Sequence, residues 1–182
     1  MYVSKILLGT ALLAGVASAH DVEFDFALSG EQEVPANNSP AVGAAEITYN
    51  DEDQTFSIDM MVFGIGMDDL LGVGPNTTPV HIHNAPAGSN GPIVIDLGFL
   101  ASFQEDGLGI RLQITDADFG GQQGGIFSDP NLNEDALFAG ELYVNIHTND
   151  FSGGEIRGQI VPAPASLIAL GGFGLLATRR RR

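Results

Sequence analysis

Val22, Phe24, Phe26 and Leu28 alternate with Glu23, Asp25 and Ala27. Successive side chains of a strand point to opposite sides, so this is the pattern of a strand with one buried face. Ala45, Ile47 and Tyr49 repeat it, and so do Phe56, Ile58, Met60 and Val62 beyond the polar stretch Asp51-Glu52-Asp53-Gln54. Residues 44–63 therefore read as a β-hairpin. Gly64 to Thr78, rich in glycine and turn formers, reads as a loop leading into a strand at His81. Pro86 to Pro92 predicts a turn, and the apolar run Ile93 to Leu97 a strand paired with the one before it. Residues 98–107 read as a short helix or loop. Ile110, Leu112 and Ile114 make a further strand, and 119–133, with four glycines, is an excursion from the core. Leu142 to Thr148, a Gly153-Gly154 turn, and Ile156 with Ile160 predict the best-defined hairpin, within 141–161. No segment sustains a helical period. The fold class that follows is all-β: an antiparallel β-sandwich or barrel, Ig-like or superoxide-dismutase-like, with antiparallel central strands.

The two ends differ from this middle. Lys5, the apolar run Ile6 to Val16, and Ala17-Ser18-Ala19 form the layout of a cleavable secretory signal, with cleavage expected between Ala19 and His20. The run is shorter than the roughly 20 apolar residues that span a bilayer. At the other end Pro162-Ala163-Pro164 precedes an apolar stretch to Ala177 and the cluster Arg179, Arg180, Arg181 and Arg182. Such a stretch enters a bilayer, and its arginines stay on the cytoplasmic side. The order resembles the PEP-CTERM sorting signal of Gram-negative bacteria that export exopolysaccharide. That resemblance implies recognition around Pro162 and Pro164 by a membrane-embedded processing enzyme of the exosortase type, and a transmembrane helix until processing; Ala163 stands where the motif has Glu. A plain C-terminal anchor is the alternative. The chain thus divides into a signal peptide (1–19), one domain (20–161) and a sorting or anchor segment (162–182), the domain being flanked by a signal helix and a sorting helix.

Charge narrows the partners. All 23 acidic residues lie in the domain, where only Arg111 and Arg157 oppose them, giving it a formal charge of −21. Such a surface repels nucleic acid and anionic lipid and attracts cations. With no cysteine, there is no disulfide, thiolate metal site or cysteine nucleophile, and stability rests on the core.

The candidate chemistry is in three of the four histidines. In Val80-His81-Ile82-His83-Asn84-Ala85-Pro86-Ala87-Gly88, His81 and His83 share one strand face. In Tyr143-Val144-Asn145-Ile146-His147-Thr148, His147 shares a face with Tyr143 and Asn145, and Gly154-Glu155-Ile156-Arg157-Gly158 follows. If the two strands are neighbours, His81, His83 and His147 form a candidate site for Zn²⁺ or Cu²⁺. Ligation needs neutral imidazoles, so metal binding is expected to weaken as pH falls through the ordinary histidine range near 6.5. The plain alternative is a hydrogen-bonded polar seam that fixes strand pairing without metal. With their glycine spacing, these two segments resemble the chordin-type (CHRD) domain, a β-rich extracellular module, over roughly residues 22–161. The resemblance implies a fold and a place outside the cell. The His-x-His strand is also similar to that of copper-zinc superoxide dismutase, but the bridging His, the ligand count and the disulfide of that family are missing.

Lesser features have plainer readings. His20, as a new N-terminus, offers an amine and an imidazole that chelate copper, or stands there by coincidence. Thr115 to Gly121 starts like a calcium loop, but Gly120 and Phe127 occupy ligand positions, so it reads as a solvated turn. Glu155 and Arg157 share a face and are expected to form an exposed ion pair, with Arg157 structural, holding carboxylates or carbonyls near the last strand. No catalytic motif stands out. The expected function is a non-enzymatic exported module, structural or interacting with matrix polysaccharide or an envelope protein, at the cell envelope, outer surface or extracellular matrix. The second reading is an extracellular or periplasmic Zn- or Cu-binding protein with a redox role as its extension.

Overall fold

The computed structural model describes residues 21–72, 78–105, 107–123 and 126–161. The signal site at Ala19 and His20, and the sorting segment with Pro162, Pro164 and Arg179 to Arg182, lie outside the described residues. Among the described residues no helix is long and apolar enough to cross a membrane.

Nine strands form one antiparallel sheet: β1 (Asp21–Ser29), β2 (Val42–Asn50), β3 (Thr55–Phe63), β4 (Val80–Asn84), β5 (Ile93–Asp96), β6 (Ser102–Glu105), β7 (Gly109–Asp118), β10 (Leu142–Ile146) and β11 (Ile156–Ile160). β8 (Gly121–Gln123) and β9 (Ile126–Ser128) pair separately. The order across the sheet is β5-β4-β10-β11-β1-β2-β3-β7-β6. The expected sandwich or barrel is realised as this single sheet, curled into a half-barrel.

The core lies on one face, for the reason the alternation gives. Phe24 and Leu28 of β1, Ile47 and Tyr49 of β2, Met60 and Val62 of β3 and Leu112 of β7 are buried. So are Val80 and Ile82 of β4 and Leu142, Val144 and Ile146 of β10. The predicted hairpins at 44–63, at 80–97 and within 141–161 are the pairs β2–β3, β4–β5 and β10–β11.

Three stretches differ from expectation. The described residues of 98–107 carry only the end of a 3₁₀ turn, Leu97–Phe99, and then β6, an edge strand whose mainly polar residues carry no alternation. The excursion runs into helix α1 (Pro130–Phe138), which the sequence pattern does not predict. Its start is fixed locally: Asp129 caps it by accepting from the Asn131 N–H, and Pro130 fills a first-turn position that needs no donor. Phe138 then packs against Phe24 and Tyr49, each with ring centroids 6.1 Å from its own. Finally, Thr115 to Asp118 is strand rather than turn: a bulge opposite Phe56 to Ile58, with Asp116 at φ 47°, lets β7 continue past Ile114.

The other face of the sheet is not uniform. Over β1 to β3 and β7 it carries Asp25, Glu46, Asp59 and Arg111 toward solvent, and Arg111 Nε donates to Asp59 Oδ1 at 2.8 Å. Over β4, β10 and β11 it is roofed by the segments 30–41, 85–92 and 147–155, and its polar side chains are buried.

Candidate metal centre

Strand pairing brings the histidines together. β4 and β10 are neighbours, with His81 opposite Asn145 and His83 opposite Tyr143. His147 extends the same ladder, its N–H donating to the Pro79 carbonyl at 2.8 Å. His81 and His147 have ring centroids 5.1 Å apart, His81 and His83 5.5 Å, and His83 and His147 6.1 Å. One ring nitrogen from each lies within 4.8 Å of the other two. Tetrahedral ligation at about 2.0–2.1 Å sets donor nitrogens roughly 3.3 Å apart, so the cluster closes on an ion with side-chain movements of about an ångström.

Each ring is also held from behind. His83 Nδ1 lies 3.0 Å from the Gly91 carbonyl oxygen and His147 Nδ1 3.0 Å from that of Ser152. A carbonyl only accepts, so both Nδ1 atoms carry the proton and both Nε2 atoms present lone pairs. Those two Nε2 atoms are buried and make no hydrogen bond, and Nδ1 of His81 is buried with them. His81 Nε2 faces Asp96 Oδ2 at 3.8 Å. The Asp96 carboxylate is fully buried and accepts from Thr78 N at 2.9 Å, from the Thr78 hydroxyl and from Gly98 N at 3.2 Å. Imidazoles oriented by carbonyl and carboxylate partners, with the unpartnered Nε2 atoms of His83 and His147 gathered beside His81, are the arrangement of a metal centre and its supporting shell.

Electrostatics prepares the same state. Burial, reinforced by His147, pushes His81 down to about 4 against the opposing pull of Asp96. Burial likewise pushes His83 down to about 4, and it lowers His147. All three are neutral, ligation-competent imidazoles at pH 7. The expected titration near 6.5 is corrected accordingly, because the rings lie under a roof rather than on an open strand face.

Two further side chains complete the surroundings. Tyr143 stacks on His83 with centroids 4.9 Å apart and planes at 10°, and its hydroxyl accepts from Gly91 N at 3.1 Å. Arg157 places Cζ 3.4 Å from the centre of the Tyr143 ring. Its guanidinium donates to the carbonyls of Ser89 at 2.8 Å and Pro86 at 3.4 Å and to Gln159 Oε1 at 2.9 Å. The structural reading of Arg157 holds; its expected exposed pairing with Glu155 does not. Arg157 is 1% exposed, and Glu155 instead accepts from the hydroxyls of Ser39 and Thr148, both at 2.6 Å.

Asp96 escaped the sequence reading, although a carboxylate inside the apolar run Ile93 to Leu97 was a usable signal. The carbonyls of Gly91 and Ser152 had none, since backbone partners leave no side-chain trace.

No curated protein and no solved structure matches the chain. Among known families, the CHRD domain matches residues 24–160. That span takes in all of the sheet but the first three residues of β1, and all three histidines, and the chain belongs to the CHRD domain family.

Proposed function

We infer that the chain is an exported CHRD-domain module whose specific property is to hold one transition-metal ion, Zn²⁺ or Cu²⁺, on His81, His83 and His147. The carrying observation is the pair of buried, unpartnered Nε2 atoms of His83 and His147 in a cluster whose outer nitrogens are already engaged. A buried polar atom without a partner costs about 1–3 kcal/mol. A polar seam would satisfy such atoms with hydrogen bonds between side chains, and here the rings face one another instead. An ion satisfies them together, and neutral imidazole is the form that ligates.

The setting of this activity is outside the cell. The N-terminal signal layout, the C-terminal sorting order with an exosortase as processing partner, and the strongly acidic domain support a place at the envelope or in the polysaccharide matrix of a Gram-negative bacterium. Matrix polysaccharide or an envelope protein is the partner of an interaction module there. The role is binding rather than catalysis.

Elemental analysis of the full chain and its melting curves with Zn²⁺, Cu²⁺ or chelator test the reading. About one equivalent of metal is expected, with an upward shift in Tm that His83→Ala abolishes, because a ligand of the folded state stabilises by mass action. No metal-dependent shift at pH 7.5 would remove it.

A further inference from the structure

Among the described residues, Arg157 is a buried charge with no carboxylate in ion-pair contact, Glu33 acting on it only from further away. It is 1% exposed, and its hydrogen bonds go to two carbonyls and an amide oxygen. A buried guanidinium without an ion pair is expensive, so its position calls for a reason. That position is behind the candidate metal ligands. β10 lies between β4 and β11, and Tyr143 on β10 has His83 stacked on it from the β4 side and Arg157 from the β11 side.

A charge of opposite sign stands at the other end of the cluster. Asp96 is fully buried and faces His81 across 3.8 Å, held by Thr78 and Gly98. The three imidazoles therefore sit between a buried anion and a buried cation, beneath a roof that excludes water from both. In such surroundings Coulomb interactions are screened far less than at a surface. They act differently on ions of different charge: the carboxylate favours the more highly charged ion, and the guanidinium disfavours it.

Resting on the metal reading above, we propose that Asp96 and Arg157 set the copper valence this site prefers, Asp96 favouring Cu²⁺ and Arg157, acting through Tyr143 and His83, favouring Cu⁺. Imidazole binds copper in both states, so the balance falls to the surrounding charges. Neither residue is a ligand; each positions and polarises a histidine that is.

The test measures Cu²⁺ affinity in air and Cu⁺ affinity under anaerobic competition with a chromophoric chelator, on the full chain, with Zn²⁺ as a divalent ion of fixed valence. Arg157→Gln is expected to raise the Cu²⁺ to Cu⁺ affinity ratio about tenfold, equivalent to a potential about 59 mV lower for a one-electron couple. Asp96→Asn is expected to move the ratio the opposite way, and Arg157→Lys, which keeps the charge, to leave it near wild type. Should Arg157→Gln fail to fold, Gln159→Glu neutralises the guanidinium in place, since the amide oxygen already accepts from it, and the same upward shift is expected. A ratio within twofold of wild type in the folded charge-neutralising variant, or shifts of the same sign at Asp96 and Arg157, overturns the proposal while leaving the metal centre intact. Absence of Zn²⁺, Cu²⁺ and Cu⁺ binding in the wild type instead removes the centre itself.

Discussion

His83 and Tyr143 face each other across β4 and β10 with their rings 10° from parallel, and one residue, Gly91, touches both: its carbonyl meets His83 Nδ1 and its N–H meets the Tyr143 hydroxyl. The 85–92 segment is thereby tied to the strand pair through a single residue, by the two peptide groups that flank its Cα. Tyr143→Phe keeps the stack and removes only the acceptor of the Gly91 N–H. Urea denaturation should show a loss of about 1 kcal/mol, the usual worth of one such bond, with metal binding retained. Loss of binding in this variant would mean that the hydroxyl, and not the ring, orients His83.

Metal-free protein should lose stability as pH falls from about 6.5 toward 4. The histidines of the unfolded chain titrate near 6.5, whereas His81 and His83 in the fold are pushed down to about 4. Between those values the unfolded state binds more protons, so stability rises with pH there and is fully present above 6.5. Each histidine contributes at most about 1.4 kcal/mol per pH unit. Urea titrations in chelator at pH 7.5, 6 and 5 check this, and His81→Ala should flatten the slope. A stability independent of pH across that window would show that the rings are more solvated than the roof implies.

Much of this architecture is legible in the alternation of residues, and the exceptions have physical causes. β1, β2, β3 and β7 bury one face and show the other to solvent, so polarity marks both sides. In β10 all five residues are buried, and the polar side is recognisable only by the chemistry of Tyr143 and Asn145. That His81, His83 and His147 share a side follows from parity; that they meet depends on β4 pairing with β10 across 57 residues of intervening chain, which no local pattern encodes. Helix α1 is missed because its buried positions include Asn133, whose amide donates to the carbonyl of Phe119 and the hydroxyl of Ser128, so no apolar stripe is written there.

Glu33→Gln should stabilise the protein increasingly as pH rises from 5 to 8. Burial pushes the Glu33 carboxyl up to about 7, against the opposing effects of Arg157 and of the Val34 backbone, and its Oε1 has no hydrogen-bond partner. A carboxyl whose folded value is raised contributes stability below its unfolded value near 4.5, which is lost as pH climbs through 7. The amide cannot ionise and escapes that loss. Paired thermal melts at pH 5 and 8 measure it; a constant difference between the two proteins would mean that Glu33 is already ionised in the fold.

Gly91→Ala should damage the site from outside it. A Cβ at this position would lie 1.8 Å from the Asn84 carbonyl oxygen and 2.5 Å from its carbon. Both are backbone atoms that rotamer changes cannot move, so the chain itself must shift. That shift pulls the Gly91 carbonyl from His83 and its N–H from Tyr143, and it strains the neighbouring bond from Asn84 N to the Pro92 carbonyl, 3.0 Å long here. A loss of about 2–3 kcal/mol is expected, in the upper part of the range for single substitutions, with weaker Zn²⁺ binding because His83 loses the partner that fixes its tautomer. Gly88→Ala in the same segment is the comparison. Its Cβ meets nothing within 4 Å, and only its φ of 80° resists the change, which costs about 1 kcal/mol and leaves the histidines untouched. Calorimetry with Zn²⁺ on both variants separates the two effects: weakened binding in Gly91→Ala alone ties the loop backbone to the metal ligands, whereas equal binding in both would free His83 from any dependence on the carbonyl behind it.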